Sequence, residues 1–248
     1  MKNQPHGEPP LSSPAHQAMF QDWSLFDRIV AGNWMHHQEL ATAIADCLAD
    51  APSDLRVLDI GSGDGWIANQ GLRRSAVRQY VALDASADAL NRLLTRPVPG
   101  SNATACQREV QQGDFLTTIQ DLPDNGFDTV LSSYALHHLH ADQKPLMFSH
   151  IHRVLVPNGR LIWIDSYRDR DETRTQYLTR LGQFISEDWN LLRPEERQAT
   201  LDHIWSSDFP ETEAQMLALL ETSHLSGATN VWRDAYFGMW TATKPSSA

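Results

Sequence analysis

The stretch VLDIGSGDGWIA, residues 57–68, decides the fold expected for this chain. Residues 57–60 are apolar except for Asp59, a pattern typical of a short buried strand. Three glycines follow at alternate positions, and glycine lets a backbone turn tightly and approach a ligand without a Cβ in the way. The stretch therefore predicts a strand and a turn, with a ligand site at the turn.

Strand-like and helix-like segments alternate from residue 56 to residue 165. The strand-like segments are RVLDI, QYVALD, CQREV, GFDTVLSS and GRLIWID. Such alternation predicts a mainly parallel sheet with helices on both faces. The aromatic, β-prone segment NVWRDAYFGMWTATK adds two closing strands. We therefore expect an α/β fold with a doubly wound, mainly parallel, seven-stranded sheet.

The rest of the chain supplies helices around this sheet. Residues 1–17 are polar and rich in Pro, Ser and His, so we expect a mobile tail. Residues 18–248 are expected to form a single domain. Within it, N-terminal helices over 18–50 and a long helical insertion over 166–212 are predicted to form a cap.

Composition excludes several classes of function. The formal net charge of −11 disfavours nucleic acid as the main partner. Two cysteines provide no disulfide framework, and no signal peptide or membrane span is evident, so we expect a cytoplasmic protein without a membrane partner. The sequence does not predict the oligomeric state.

Polar residues follow each of the five predicted parallel strands, where ligands bind in open α/β sheets. Asp84 lies 19 residues beyond Gly65, a separation at which a carboxylate commonly accepts the ribose hydroxyls of an adenosine cofactor. A dinucleotide loop of the G-x-G-x-x-G type would have glycine where Trp66 stands. An adenosine ligand is therefore expected, and NAD is disfavoured.

Five segments in the right order carry a family resemblance. VLDIGSGDG, VALDAS, GDF, FDTVLSSYALHHL and RVLVPNGRLIWID resemble the successive motifs of class I S-adenosylmethionine-dependent methyltransferases, over roughly residues 55–166. The resemblance implies the Rossmann-like methyltransferase fold. It also implies S-adenosylmethionine as the cofactor and S-adenosylhomocysteine as the product.

The resemblance further implies which residues hold the cofactor. Asp59 would orient the loop or reach the ammonium group through water, Asp84 would accept the ribose hydroxyls, and Asp114 would accept the adenine amino group. A plain capping role for Asp59 and a surface turn at Asp114 are the structural alternatives. The predicted cofactor residues are Asp59, Gly61, Ser62, Gly63, Asp84, Ala85, Asp114, Phe115, Ser132 and Ser133.

Candidate catalytic residues follow the fourth and fifth predicted strands. His137 is the candidate general base, Tyr134 a hydrogen-bonding partner for the acceptor, and Asp165 a further catalytic candidate. His137 and His138 could instead cap a helix or pack in the shell. No metal is predicted, because residues 137, 138 and 140 do not share a helix face and no cysteine lies nearby.

The acceptor is expected to be a small molecule, with the methylated atom left open. Trp34, His37, His138 and Tyr167 are the predicted substrate-binding residues, although aromatic side chains at helical spacing also suit a core. Two alternatives remain open at this point. One is an aminopropyl transferase that uses decarboxylated S-adenosylmethionine, and the other is a non-catalytic partner subunit that binds S-adenosylmethionine.

Overall fold

The computed structural model describes residues 23–100 and 106–246, so the predicted tail over 1–17 lies outside the described residues. The helices are α1 Trp23–Gly32, α2 His37–Cys47, α3 Trp66–Gly71, α4 Ala87–Thr95, α5 Phe115–Thr118, α6 Lys144–Val154, α7 Arg174–Asp188, α8 Pro194–Ser207 and α9 Glu213–Thr222. The strands are β1 Leu55–Ile60, β2 Val77–Asp84, β3 Gln107–Gln112, β4 Phe127–Ser133, β5 Leu155–Arg168, β6 Glu211–Thr212, β7 Ser226–Arg233 and β8 Phe237–Thr243. Short 3₁₀ turns cover Ile119–Asp121 and Leu136–His138.

The sheet runs in the order β3-β2-β1-β4-β5-β8-β7. Strands β1 to β5 pair in parallel, and β8 is antiparallel to both β5 and β7. The two-residue strand β6 pairs with the end of β5 and makes an eighth strand. The predicted α/β class with a mainly parallel sheet is confirmed, and the strand order reverses between β1 and β4, which is where such folds bind ligands.

Helices cover both faces of the sheet because its central strands are apolar on both sides. Val57 packs with α2, α3 and α4 on one face, and its neighbour Leu58 packs with α5, α6 and α9 on the other. This alternation follows from the two-residue period of a strand. The central strands are thus fixed in register, and their carboxyl ends meet at one edge.

A third apolar cluster joins α1 to α7 and α8, and its members include Leu25, Tyr177 and Trp189. Thr173 begins α7 through a capping box with Gln176, and Pro194 occupies the first position of α8. These helices fall within the ranges predicted for a cap, whose boundaries stay a prediction. Of the helices that the structure describes, none is long and apolar enough to cross a membrane.

Candidate active site

The glycine loop after β1 has the backbone geometry that its sequence predicts. Gly61 and Gly63 have φ values of 65° and 53°, a region that side chains with a Cβ rarely adopt. A Cβ on Gly61 would lie 2.3 Å from the Cβ of Ala135, whereas a Cβ on Gly63 would meet nothing within 4 Å. The loop therefore packs against the chain leaving β4 at Gly61 and is open at Gly63.

Asp84, at the end of β2, holds this loop. Its Oδ2 accepts a hydrogen bond from the backbone N–H of Gly63 at 2.7 Å, and its Oδ1 accepts from the backbone N–H of Ser86 at 2.8 Å. An ionised carboxylate offers about four lone-pair sites, so acceptor capacity remains. Burial raises the pKa of Asp84 above its usual value. Ala85, which follows, is exposed at the same strand end.

Asp59 is fully buried at the end of β1, with no exposed surface. Its Oδ2 accepts from the Tyr80 hydroxyl at 2.6 Å, while its Oδ1 has no hydrogen-bond partner among residues 23–100 and 106–246. Burial, opposed by the Tyr80 hydrogen bond and aided by the charge of Asp84, raises the pKa of Asp59 to about 7. A cationic group would relieve this unfavourable charge.

Ser62 and Ser132 connect the loop to the sheet. Ser62 is buried, and its backbone N–H donates to the carbonyl of Leu83 at 3.0 Å. The Ser132 hydroxyl donates to the carbonyl of Ile60 at 3.1 Å, so it ties the end of β4 to the end of β1. Ser133 is only partly buried beside it. Both serines of β4 therefore lie at the point where the strand order reverses.

Asp114 is exposed and caps the short helix α5. Its Oδ1 accepts from the backbone N–H of Thr117 at 3.0 Å, which is a capping role, and Phe115 is buried beneath the helix. Both residues follow β3, two strands away from β1 in the sheet. An adenine contact at Asp114 stays a prediction.

Tyr134 follows β4 with a φ of 55°, a rare value for a residue other than glycine. Its hydroxyl donates to the carbonyl of Met35, in the segment between α1 and α2. Its ring contacts Phe237 edge to face at 5.4 Å. Tyr134 therefore links the N-terminal helices to the sheet, and its hydroxyl retains only acceptor capacity for a further ligand.

His137 lies between two carboxylates. Its Nδ1 pairs with Oδ1 of Asp165, and its Nε2 lies 3.5 Å from Oδ1 of Asp208. Burial disfavours the charged ring, but the charges of Asp165 and Asp208 outweigh burial and raise the pKa of His137 to about 10. In this arrangement the ring is an imidazolium near neutral pH.

An aromatic group gathers beside Tyr134 from three segments. Trp34 stacks on Trp189 of the insertion, with ring centroids 5.2 Å apart and planes 6° from parallel. His37 is buried and lies 5.6 Å from the Tyr134 ring and 5.8 Å from the Trp66 ring. Burial, together with the neighbouring His36, lowers the pKa of His37 to about 4, so its ring is neutral.

The structure does not bring all predicted substrate residues together. Tyr167 belongs to the core cluster that contains Phe148 and Trp163, not to the cluster that contains Trp34 and Tyr134. Its ring lies under the Arg233 guanidinium at 4.7 Å. The fourth candidate, His138, joins the group around Asp208, with its Nδ1 3.4 Å from Oδ1 of that residue.

Sequence reasoning did not select His203 or Asp208, and both reach the neighbourhood of His137. They lie at the end of α8, more than 60 residues along the chain from His137. The only local signal is the polar turn that ends a long helical stretch, and such turns are common. The sequence alone gives no reason to connect this turn with β4.

Comparisons with known proteins bear on the family and the fold of this chain. A family model described as a methyltransferase domain matches residues 57–159. An uncharacterized methyltransferase of Bacillus mycoides is 26% identical over 157 residues, which cover 62% of this chain and 68% of the relative. The family-model match, over residues 57–159, extends beyond the glycine loop to most of the predicted motifs.

Two solved structures have a similar fold. A Burkholderia thailandensis 1,6-didemethyltoxoflavin-N1-methyltransferase aligns with a TM-score of 0.56 and 18% identity, over 96% of this chain and 93% of that chain. The magnesium protoporphyrin IX methyltransferase of Synechocystis aligns with a TM-score of 0.57 and 19% identity, over 92% and 96%. Both contain bound S-adenosylhomocysteine. At such identities, these likenesses establish the fold.

The motifs, the fold and the family match together identify the class of protein. Residues 57–159 carry a methyltransferase domain, and over this domain the chain is similar to the class I S-adenosylmethionine-dependent methyltransferases, which supports S-adenosylmethionine as its cofactor.

Proposed function

We propose that this methyltransferase transfers the methyl group of S-adenosylmethionine to a small-molecule acceptor by in-line displacement. The observation that carries the proposal is the aromatic group beside the end of β4. Two of its buried ring nitrogens, Nδ1 of His37 and Nε1 of Trp189, have no hydrogen-bond partner in the part of the chain that the structure describes. Buried polar atoms are normally paired, so this group suits an enclosed ligand with polar atoms.

The cofactor residues fit the three parts of S-adenosylmethionine. Oδ1 of Asp59, which has no hydrogen-bond partner among the described residues, suits the ammonium group of the cofactor as a partner, either directly or through a water molecule. The remaining acceptor capacity of Asp84 suits the ribose hydroxyls, since charge-assisted hydrogen bonds to a carboxylate are strong. The open face of Gly63 leaves room for a ligand beside the loop. The adenine contacts of Asp114 and Phe115 are part of the same proposal.

When bound, S-adenosylmethionine supplies a methyl group that its sulfonium already activates. The protein then has to hold the donor and the acceptor in line and to exclude water. Trp34 and Trp189 would shield the acceptor side through their stacked rings, and Tyr134 would present its hydroxyl oxygen as an acceptor for a hydrogen bond.

A general-base role for His137 stays a prediction. The ring lies between two carboxylates with its pKa raised to about 10, and an imidazolium has no free nitrogen to accept a proton. Asp165 is occupied by His137, by the Trp163 indole N–H at 2.9 Å and by the Ser166 backbone N–H at 3.0 Å. This geometry suits positioning of the ring better than proton abstraction.

Structural neighbours support a small acceptor. The Burkholderia relative in fold was solved with 1,6-didemethyltoxoflavin bound, and the Synechocystis relative is named for a porphyrin substrate. For this chain, the aromatic group favours a planar molecule, because aromatic side chains gain packing energy from stacking. A cytoplasmic location without a nucleic-acid partner remains a prediction from composition.

The test begins with calorimetric titration of the protein with S-adenosylmethionine, S-adenosylhomocysteine and NAD. Asp84→Asn is expected to weaken binding of the first two by roughly 10-fold to 100-fold, because it removes charge-assisted hydrogen bonds. Asp88→Asn is the matched control, since Asp88 is exposed in the first turn of α4. Equal binding by Asp84→Asn and the wild type would remove the ribose role.

The acceptor class is tested by release of S-adenosylhomocysteine with three pools: planar small molecules, total RNA and unfolded proteins. The proposal expects turnover with small molecules alone. Turnover confined to RNA or protein would overturn it while leaving the cofactor assignment intact.

A further inference from the structure

Four buried polar side chains from two distant segments meet beside β4. His137 and His138 lie in the 3₁₀ turn after β4, His203 lies in α8, and Asp208 follows α8. Their exposed fractions are 7%, 7%, 6% and 5%. The sequence does not predict a contact between these two segments, because His203 lies 65 residues beyond His138. The cluster forms only in the folded chain.

Three imidazole nitrogens surround one carboxylate oxygen in this cluster. Oδ1 of Asp208 lies 3.4 Å from Nδ1 of His138, 3.5 Å from Nε2 of His137 and 3.8 Å from Nε2 of His203. Normal N–H···O distances are about 2.7–3.2 Å, and Oδ1 of Asp208 has no hydrogen-bond partner within the described ranges. All three distances to Oδ1 therefore exceed the normal hydrogen-bond range.

The distances match the spacing of ligands around a small metal ion. A tetrahedral zinc site with bonds of about 2.0–2.1 Å places its ligand atoms about 3.3–3.4 Å apart. The three distances to Asp208 equal or slightly exceed this spacing. Ligand atoms of His137, His138 and Asp208 also lie within 4.8 Å of one another. We propose that His137, His138 and Asp208 bind a divalent first-row transition metal of the zinc type, and that His203, whose Nε2 lies 3.8 Å from Oδ1 of Asp208, moves in as the fourth ligand.

A hydrogen-bonded carboxylate behind His137 supports this proposal. Nδ1 of His137 pairs with Asp165, so Nε2 is the nitrogen left to face the cluster. Asp165 is itself held by Trp163 and by the backbone of Ser166. A ligating histidine almost always donates its second N–H to a carboxylate, a carbonyl or water, which fixes the ring and raises its basicity.

The donor set also selects the kind of metal. Imidazole nitrogens with one carboxylate suit zinc, iron, cobalt or nickel, whereas magnesium and calcium prefer sites made of oxygen ligands. Nδ1 of His138 also lies 3.1 Å from the carbonyl of Ser207. A metal ligand must be free of its proton, so metal binding would replace a hydrogen bond at this nitrogen.

The metal would act as a clamp between α8 and the sheet. Four protein ligands complete a tetrahedral site, and a closed site of this kind is structural. The same junction already contains a hydrogen bond of 2.7 Å from the Phe209 N–H to the His137 carbonyl, and a buried Lys144–Glu211 ion pair at 2.7 Å. The metal would therefore fasten the insertion near the active site rather than react with the acceptor.

The test uses the full chain, produced without a histidine tag, which would itself bind metal. After removal of metals with a chelator, the protein is titrated with Co²⁺ and with Zn²⁺. The proposal expects binding of about one ion per chain and the visible absorption of tetrahedral Co²⁺. It also expects a Zn²⁺-dependent rise in the unfolding temperature. Absence of both stoichiometric binding and the cobalt spectrum would overturn the proposal.

Variants assign the site to these residues. Asp208→Asn and His203→Gln each remove one ligand and are expected to lower Co²⁺ affinity by about tenfold or more. Asp165→Asn, behind His137, is expected to lower it by roughly 10-fold to 100-fold. Asp202→Asn is the control, because Asp202 is exposed in α8 six residues before Asp208. Wild-type affinity in both ligand variants, or an equal loss in Asp202→Asn, would exclude the assigned site.

Two further measurements separate the possible outcomes. If Asp208→Asn does not fold, His203→Gln provides the same comparison, and the wild-type cobalt spectrum tests the site without any variant. Calorimetric binding of S-adenosylmethionine is measured on the same samples with and without metal. Loss of metal binding with normal cofactor binding would refute the metal site alone, and the reverse result would refute the cofactor assignment alone.

Discussion

Buried carboxylates at the two sides of the sheet edge, beside the glycine loop and beside the insertion, have different electrostatic surroundings. Beside the glycine loop, Asp59 has one oxygen without a hydrogen-bond partner in the described chain and a pKa raised to about 7. On the side of the insertion, Asp165 and Asp208 lie beside His137, whose charge lowers the pKa of Asp208 despite its burial. Among the described residues no cationic side chain pairs with Asp59, whereas Asp165 and Asp208 have His137 between them.

This difference separates a proposed site for a cationic ligand from a junction whose carboxylates, in metal-free protein, are compensated by the fold's own side chains. A buried carboxylate without compensation is costly, and in the proposed complex the ammonium group of the cofactor would supply that compensation. A buried carboxylate with an imidazolium stabilises the junction between the insertion and the sheet. Removing either partner of such a pair leaves an uncompensated charge.

The largest effect is expected from His137→Gln, which removes the cation between two carboxylates. In metal-free protein we expect a loss of about 3–5 kcal/mol in the free energy of unfolding. His36→Gln is the control, because His36 pairs with Asp234 at 2.8 Å but is 32% exposed. A pair at the surface contributes about 1 kcal/mol or less. Equal losses in urea denaturation would show that the two environments do not differ.

Gly61→Ala is expected to have the next largest effect, on the cofactor half. The new Cβ would lie 2.3 Å from the Cβ of Ala135 at a φ of 65°, so we expect a loss of about 2–4 kcal/mol in stability and weaker cofactor binding. Gly63→Ala has a similar φ but open space, and it is expected to lose only about 1–2 kcal/mol. Similar stabilities of the two variants would contradict the close packing of the loop against the chain after β4.

Asp59 makes a prediction about pH. Because its folded pKa of about 7 lies above the ordinary value of 3.8, the folded protein holds this proton more tightly than the unfolded chain does. The stability that this proton contributes is complete below about pH 4 and is lost as the pH rises through 7. Relative to Asp59→Asn, the wild type is expected to lose about 1–3 kcal/mol between pH 5 and pH 8.

The comparison is made by urea denaturation of both proteins across this range, without cofactor. Parallel stability curves would show that Asp59 does not titrate as described. S-adenosylhomocysteine carries an ammonium group, so saturating amounts are expected to reduce the difference between wild type and variant.

The smallest expected effect is that of Trp34→Ala on the acceptor side. Loss of the stack on Trp189 is expected to cost about 0.5–1.5 kcal/mol beyond the loss of buried area. Cofactor affinity is expected to stay unchanged, because Trp34 is proposed to line the acceptor side of the site. Calorimetry with S-adenosylhomocysteine and the KM for the acceptor distinguish the two effects. A large change in cofactor affinity would contradict the assignment of Trp34 to the acceptor side.

Much of the fold was predictable because its signals are local. The apolar run around Asp59 and the glycines at alternate positions each act on neighbouring residues. The alternation of strands and helices then leaves few possible topologies. The two-residue strand β6 was not predicted, because only its contact with Tyr167 and Arg168 makes it a strand.

The sequence by itself determined the sheet, the glycine loop and the positions of Asp59 and Asp84, because short-range spacing and parallel strands place those groups together. Only the tertiary structure decided where His203 and Asp208 lie, and which side chains surround His137. It also decided that Tyr167 packs in a different apolar cluster from Trp34. The reason is physical: contacts between distant segments depend on how the insertion packs, and no local pattern encodes that packing.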